Sequence, residues 1–249
     1  VKVLFHSLFL LVFPFLCLAQ DIASLQKEAE RLEPTSEEKA FLKYQEVLKL
    51  QPANINALCK SSELCSSIGR RQTRKEQQLD YFKAAQKFAG QALRINPNSS
   101  EANFVMSVAM GRMALVLGGR EKIAAVDQIK KYAELSIKCD PNNYKPYHVL
   151  GRWHYEVSDL SSFERAFAKV FYGGVPPASL KEAIYNYEKC RSLVPDLKVN
   201  YLELAKCYHR NNEKQKAIEM LRKAISMPDK MQDDARVREE AKDLLKKWN

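Results

Sequence analysis

Glycine is scarce, with 8 residues in a chain of 249, against a usual share near 7%. A sandwich or barrel turns too often to manage with so few, so the shortage argues for helices. Histidine is scarcer still, at 4 residues. His6 falls in an apolar leader, and His148 and His154, six apart, face different ways on a helix. There is no Cys-x-x-Cys and no histidine pair at helical ligand spacing, which removes the common zinc patterns. A nucleophile elbow, a phosphate-cradling glycine loop, His-Glu-x-x-His and an Asp-rich calcium loop are all missing. Enzymes need a convergent set of groups. None is visible, so no catalytic residue, cofactor or metal is expected. General disorder is excluded too, because 46% of residues are hydrophobic and 28% charged.

The first nineteen residues are of a different kind. Lys2 and His6 precede an apolar run over 8–13, continued past Pro14 to Leu18, with Cys17 and Ala19 at the small positions before Gln20. This is the pattern of a secretory signal peptide over 1–19, leaving a helical domain over 20–249 and an exported protein. The run is shorter than the roughly 20 apolar residues of a membrane span, and no other segment is apolar enough to replace it. Five cysteines follow: Cys59, Cys65, Cys139, Cys190 and Cys207. An odd, scattered set is no disulfide framework; buried small apolar residues are expected instead.

What the chain does have is a proline rhythm. Pro52, Pro97, Pro141, Pro195 and Pro228 each follow an apolar helical run, at spacings of 45, 44, 54 and 33 residues. Proline past a helix end is a stop signal. Start signals of the capping-box type stand at Thr35–Glu38, Thr73–Glu76, Asn98–Glu101, Ser161–Glu164 and Ser179–Glu182. Gly69, Gly118-Gly119 and Gly173-Gly174 fall where helices should end. The signals predict helices near 21–33, 36–50, 55–69, 73–95, 99–117, 120–138, 144–157, 162–172, 179–193, 197–210, 213–226 and 232–247.

Between Pro195 and Pro228, Tyr201, Leu204, Ala205, Tyr208, Ala217, Leu221 and Ala224 resemble the tetratricopeptide repeat. Small residues let paired helices cross closely while large ones fill the next gap. Earlier units keep small or medium residues at matching distances before each proline: Ala40, Ala85, Ile129 and Ala183, then Val47, Ala92, Ser136 and Cys190. The fold expected is all-α, a right-handed superhelix of stacked antiparallel helix pairs, with an extra helix at about 160–172.

A second likeness is closer. Leu150-Gly151-Arg152-Trp153-His154-Tyr155-Glu156-Val157 is followed by Leu160-Ser161-Ser162-Phe163-Glu164-Arg165, then Gly173-Gly174-Val175-Pro176-Pro177, Glu182-Ala183 and Leu204-Ala205-Lys206-Cys207-Tyr208. In order and spacing this resembles the regulator of microtubule dynamics family. The likeness is good over about 120–247 and loose over 36–119. It implies a non-enzymatic helical-repeat protein, with a microtubule-associated regulator of cytoplasmic or cytoskeletal location as the alternative to an exported scaffold. The apparent leader, and the absence of a long coiled coil or anchor, depart from that family.

The net charge is +10 and the sequence pI near 9.2, which favours acidic partners. The densest basic run, Arg70-Arg71-Gln72-Thr73-Arg74-Lys75, has no interleaved aromatics, so nucleic acid is not expected and a solvated loop is. The tail over 233–240 balances its charges, as a solvating cap helix would. Arg152, Glu156, Glu164 and Arg165 could form a polar cluster under the extra helix.

Repeat proteins bind along the concave face, lined by the first helix of each pair. Inward positions lie about four, seven, eleven, fourteen and fifteen residues past each closing proline. They select Glu101, Phe104, Val108, Gly111 and Arg112; Lys145, His148, Arg152, Tyr155 and Glu156; and Val199, Leu202, Lys206, His209 and Arg210. Phe104, Arg112, Lys145, His148, Arg152, Tyr155, Lys206, His209 and Arg210 are the expected partner-binding set, suited to a protein or peptide partner that is acidic or offers a free carboxylate.

Overall fold

In a computed structural model, residues 21–248 are described. They form helices and no strand. Helix α1 covers 21–32. Then follow α2 (Glu37–Leu50), α3 (Ile55–Arg71), α4 (Lys75–Ile95), α5 (Ser100–Leu117), α6 (Gly119–Cys139), α7 (Lys145–Ser158), α8 (Ser162–Tyr172), α9 (Leu180–Leu193), α10 (Lys198–Arg210), α11 (Lys214–Ser226) and α12 (Asp234–Trp248). Every predicted helix is present. The signal-peptide reading of 1–19 concerns residues outside those described.

The helices pair in chain order: α3 with α4, α5 with α6, α7 with α9, α10 with α11. The first helices of successive pairs, α3, α5, α7, α10 and finally α12, also touch one another and form an inner layer. Three of these units share a lock that the proline rhythm did not reveal. The residue six past the proline bonds back to the proline carbonyl: Asn103 Nδ2 to Pro97 at 2.9 Å, Tyr147 Oη to Pro141 at 3.2 Å, Tyr201 Oη to Pro195 at 2.8 Å. The proline ends the helix, and its own carbonyl anchors the next one.

Four residues further on, each inner helix has a small buried residue: Ser62, Ser107, Gly151 and Ala205. At Gly151 the reason is visible, since an added Cβ would stand 2.8 Å from three ring atoms of Tyr187. The residue before each closing turn is equally tight, with Val47, Ala92, Ser136 and Cys190 all 0% exposed. Trp153, two places past Gly151, donates its indole N–H to the Val126 carbonyl at 2.8 Å and so ties α7 to α6. The glycine and tryptophan of Leu-Gly-Arg-Trp are therefore packing residues, and the arginine between them is free to face inward.

The helix-start signals were only partly right. Ser161–Glu164 is a complete capping box, and Ser179 accepts from the Glu182 amide. Ser99, rather than Asn98, caps α5, while α2 and α4 begin at Ser36 and Arg74 without a side-chain cap bond. Gly69 does not end α3, which runs on to Arg71. Gly118, Gly119, Gly173 and Gly174 do lie at helix junctions, all with positive φ.

The polar cluster under the extra helix is smaller than expected. Glu164 is occupied in its capping box, and Arg165 donates to the carbonyls of Leu160 and Val157 at the end of α7. Only Arg152 and Glu156 pair, at 2.7 Å. The cysteine expectation holds for Cys59, Cys65, Cys190 and Cys207, which are buried with no disulfide; Cys139 is exposed. Burial pushes the Cys190 thiol up to about 12, which keeps it protonated and inert.

The stack curves until its ends meet. Arg70 at the end of α3 bonds to Asp233 at the start of α12, and Arg71 reaches both Asp233, at 3.4 Å, and Glu37, at 2.7 Å. The Glu37 amide donates to Gln232 Oε1 at 3.1 Å. The basic run at 70–75 is thus not simply a solvated loop, and Asp233 is not simply a solvating charge. Both are structural, and they close a ring around the inner layer.

Candidate functional site: the lumen of the ring

Ring closure turns a concave groove into a lumen, a cavity of about 560 Å³. The inner helices supply its walls, from Glu63 and Arg70 on α3 to Val237 and Glu240 on α12. Leu115 and Met231, both exposed, stand on its lining where it meets solvent.

Six of the nine expected residues line it: Phe104, Arg112, Lys145, His148, Arg152 and Lys206. The other three do not. Tyr155 packs against the carboxy-terminal core beneath the Arg210 guanidinium, 4.8 Å from its ring centre. Arg210 bonds to the Tyr155 carbonyl and pairs with Asp159 at 3.0 Å. His209 is exposed and stacks on Trp248 of the cap helix α12 at 3.9 Å, outside the lumen.

Most lumen cations are already committed. Lys145 pairs with Glu63 at 3.0 Å and Glu101 at 2.7 Å, and lies over the Phe104 ring. Arg152 pairs with Glu156 at 2.7 Å and Glu203 at 2.8 Å, and Lys206 with Glu203 at 3.0 Å and Glu240 at 2.7 Å. Burial works against the charge on Glu203, but Arg152 and Lys206 outweigh it and hold the carboxyl below the usual range. Glu63 behaves likewise under Lys145 and Lys60. The lining carries seven Lys or Arg against seven Asp or Glu, so the lumen is charge-balanced and not the cationic trough expected from sequence.

Arg112 is the exception. Lys122 and Arg236 also have carboxylate partners, whereas Arg112 has neither an ion pair nor a side-chain hydrogen bond among the described residues. Burial and the nearby Arg70 and Arg152 draw its guanidinium down to about 10, which leaves it charged at neutral pH. Arg70 and Arg152 each also hold a buried Nε with no partner. Three guanidinium groups thus bring unused donors to one cavity.

His148 Nδ1 lies 2.9 Å from Asn200 Oδ1, whose amide nitrogen donates to the Tyr187 carbonyl. The ring therefore carries its proton on Nδ1. Burial lowers its pKa, against the pull of Asn200 and Glu203, so it is neutral at pH 7.

Sequence reasoning selected Glu101 and Glu156 but missed Glu63, Glu203 and Glu240 as partners of the lumen cations. Glu63, Ser66 and Ser67 sit eleven, fourteen and fifteen residues past Pro52, so the same frame carried back one unit finds them. Glu203 falls between inward positions, but its i,i+3 spacing to Lys206 was a readable signal. No spacing rule could link Arg70 with Asp233, which only ring closure brings together.

Paired helices in a curved stack, with a lumen built of their inner faces, define a tetratricopeptide-repeat-like scaffold. The fold is similar to the crystal structure of a tetratricopeptide-repeat protein of Thermus thermophilus, with a TM-score of 0.67, 13% identity and coverage of 88% of this chain and 98% of that one. The particular family follows from the sequence: the model of regulator of microtubule dynamics protein 1-3 matches residues 25–249, and the chain belongs to that family. It is similar to regulator of microtubule dynamics protein 1 of Caenorhabditis elegans, at 31% identity over 63% of this chain and 70% of that protein. It is 26% identical to the human protein 2 over 70% of this chain and 42% of that one. The match therefore spans less than half of the human relative. Among the described residues no helix is long and apolar enough to cross a membrane, and no group of three His, Cys, Asp or Glu is placed to hold a metal.

Proposed function

We propose that this protein is a non-catalytic scaffold whose lumen receives an acidic segment of a protein partner, with Arg112 as its seat. One observation carries the reading: Arg112 is the lumen cation that no carboxylate of the described chain satisfies. A half-buried, unpaired guanidinium close to other cations is costly, and an entering carboxylate relieves that cost through a bidentate pair. The cavity volume of about 560 Å³ is in the range of ligand sites. Hexaglutamate is the probe, titrated by calorimetry, with hexaserine as control. Arg112→Ala should weaken hexaglutamate binding by about 10- to 100-fold, the worth of one charge-assisted contact. Unchanged affinity in a folded variant rejects the reading.

A second reading rests on the family name and the net charge of +10: a microtubule-associated regulator drawn to an acidic surface. Salt-sensitive co-sedimentation with microtubules supports it, and none at low salt rejects it. The leader over 1–19 adds the proposal of export, which a mature start at Gln20 by mass spectrometry would support and an intact leader would reject.

A further inference from the structure

Helix α8 is the outlier of the fold. It is inserted between the two members of one pair, outside the inner layer, and packs on α6. Its sequence, Ser162–Tyr172, is strongly amphipathic, yet it turns its apolar side away from the protein. The residue it buries is Ala168, at 0% exposure, while Phe163 is 79%, Val170 76% and Phe171 65% exposed. At 100° per residue, positions 163, 167, 170 and 171 fall within one arc of about 100°, and Ala168 and Arg165 lie beyond it. Arg165 hooks the helix to the end of α7 through backbone carbonyls, so a specific anchor, and not apolar burial, holds the stripe outward.

We infer that α8 is an interfacial membrane-docking helix that lays this stripe into an anionic bilayer surface. The charge around it fits. Glu164 is engaged in the capping box, Lys169 is exposed, and the Arg120 guanidinium lies 5.3 Å from the Phe167 ring centre. Basic groups beside an aromatic-rich apolar stripe are the composition that inserts shallowly among acidic headgroups. The exposed stripe amounts to a few hundred Å² of side chain, less than the roughly 800 Å² per partner of a stable protein interface. A bilayer needs no complementary pocket, and short apolar stripes are sufficient for it when electrostatics contribute. Eleven residues lie in an interface; they do not span it.

The test is co-sedimentation of the full chain with phosphatidylserine–phosphatidylcholine vesicles and with phosphatidylcholine vesicles alone. The wild type should bind the anionic vesicles at least about tenfold better, as steering by basic groups requires. The double variant Phe163→Ser/Phe171→Ser should lose about tenfold or more, with an unchanged helical dichroism spectrum because both side chains are exposed. A separate variant, Phe163→Trp, should show an added blue-shifted emission component on the anionic vesicles. Equal binding of wild type and double variant, or no binding of wild type, overturns the proposal. So does a wild-type dimer that the double variant disperses, since a second copy would then be what covers the stripe.

Discussion

Arg70 and Asp233 are 163 positions apart in the chain and bonded across the mouth of the ring. Asp233 also receives Arg71, so one carboxylate joins the third helix to the twelfth. The side chains are only 27% and 19% exposed, which places the contact between a rim pair and a buried one. Asp233→Ala leaves Arg70 partly buried and unmatched. It should destabilise the protein by about 1–3 kcal/mol in urea unfolding and enlarge the ring by small-angle scattering. Asp196→Ala, which removes the exposed pair with Lys230, should leave the urea midpoint essentially unchanged.

Gly151→Ala places a methyl 2.8 Å from the Tyr187 ring, which is held at 0% exposure. The ring cannot step aside, so the variant should lose about 1–3 kcal/mol by overpacking. Gly111, inside α5, has nothing within 4 Å of the added atom, and Gly111→Ala should gain roughly 0.5–1 kcal/mol from helix propensity. Paired urea titrations check both, and a loss at Gly111 or neutrality at Gly151 would contradict the packing.

Stability should fall in two acid steps. Burial lowers the folded pKa of His148 and His154 below the usual value of about 6.5. The unfolded chain then binds protons first, and stability is lost as pH falls through the unfolded value. Glu203 and Glu63 are held below the carboxylate range, so their contribution is present at neutral pH and disappears as pH falls through their folded values. His148→Asn should reduce the fall of the urea midpoint between pH 7 and pH 5, with the His154 share remaining, and leave the lower step in place. An unchanged upper step would contradict the assignment.

Among the described thiols only Cys139 is exposed. It should react with Ellman's reagent in the native protein, and Cys139→Ser should remove one reactive thiol. Cys59, Cys65, Cys190 and Cys207, with thiols pushed up to about 12 by burial, should react only on unfolding.

The fold was legible because its determinants are local. Each proline, each small residue at a crossing and each apolar run acts within one helix pair, and these recur. The lumen was legible as far as the repeat frame holds, which is why Phe104, Lys145, His148 and Arg152 fall on the inner wall. The frame fails at Tyr155 and Arg210 because they engage each other across two inner helices, and at His209 because it stacks on α12 instead. Charge state was legible only for Arg152 and Glu156, four apart on one helix; the Glu63 partner of Lys145 and the Glu203 partner of Arg152 come from other helices, 82 and 51 positions away. A frame counted from one proline cannot see across pairs, so it took committed cations for free ones and gave Arg112 no distinction.

The central claim, that Arg112 is the seat for an acidic segment, is tested most directly by nitrogen-15 NMR of arginine Nε–H groups. The Arg112 resonance is assigned by its loss in Arg112→Lys. Hexaglutamate should shift it in a saturable way, with smaller changes at Arg70 and Arg152, while hexaserine leaves all three in place. An Arg112 resonance that stays still while hexaglutamate binds, or hexaglutamate that does not bind, would contradict the claim.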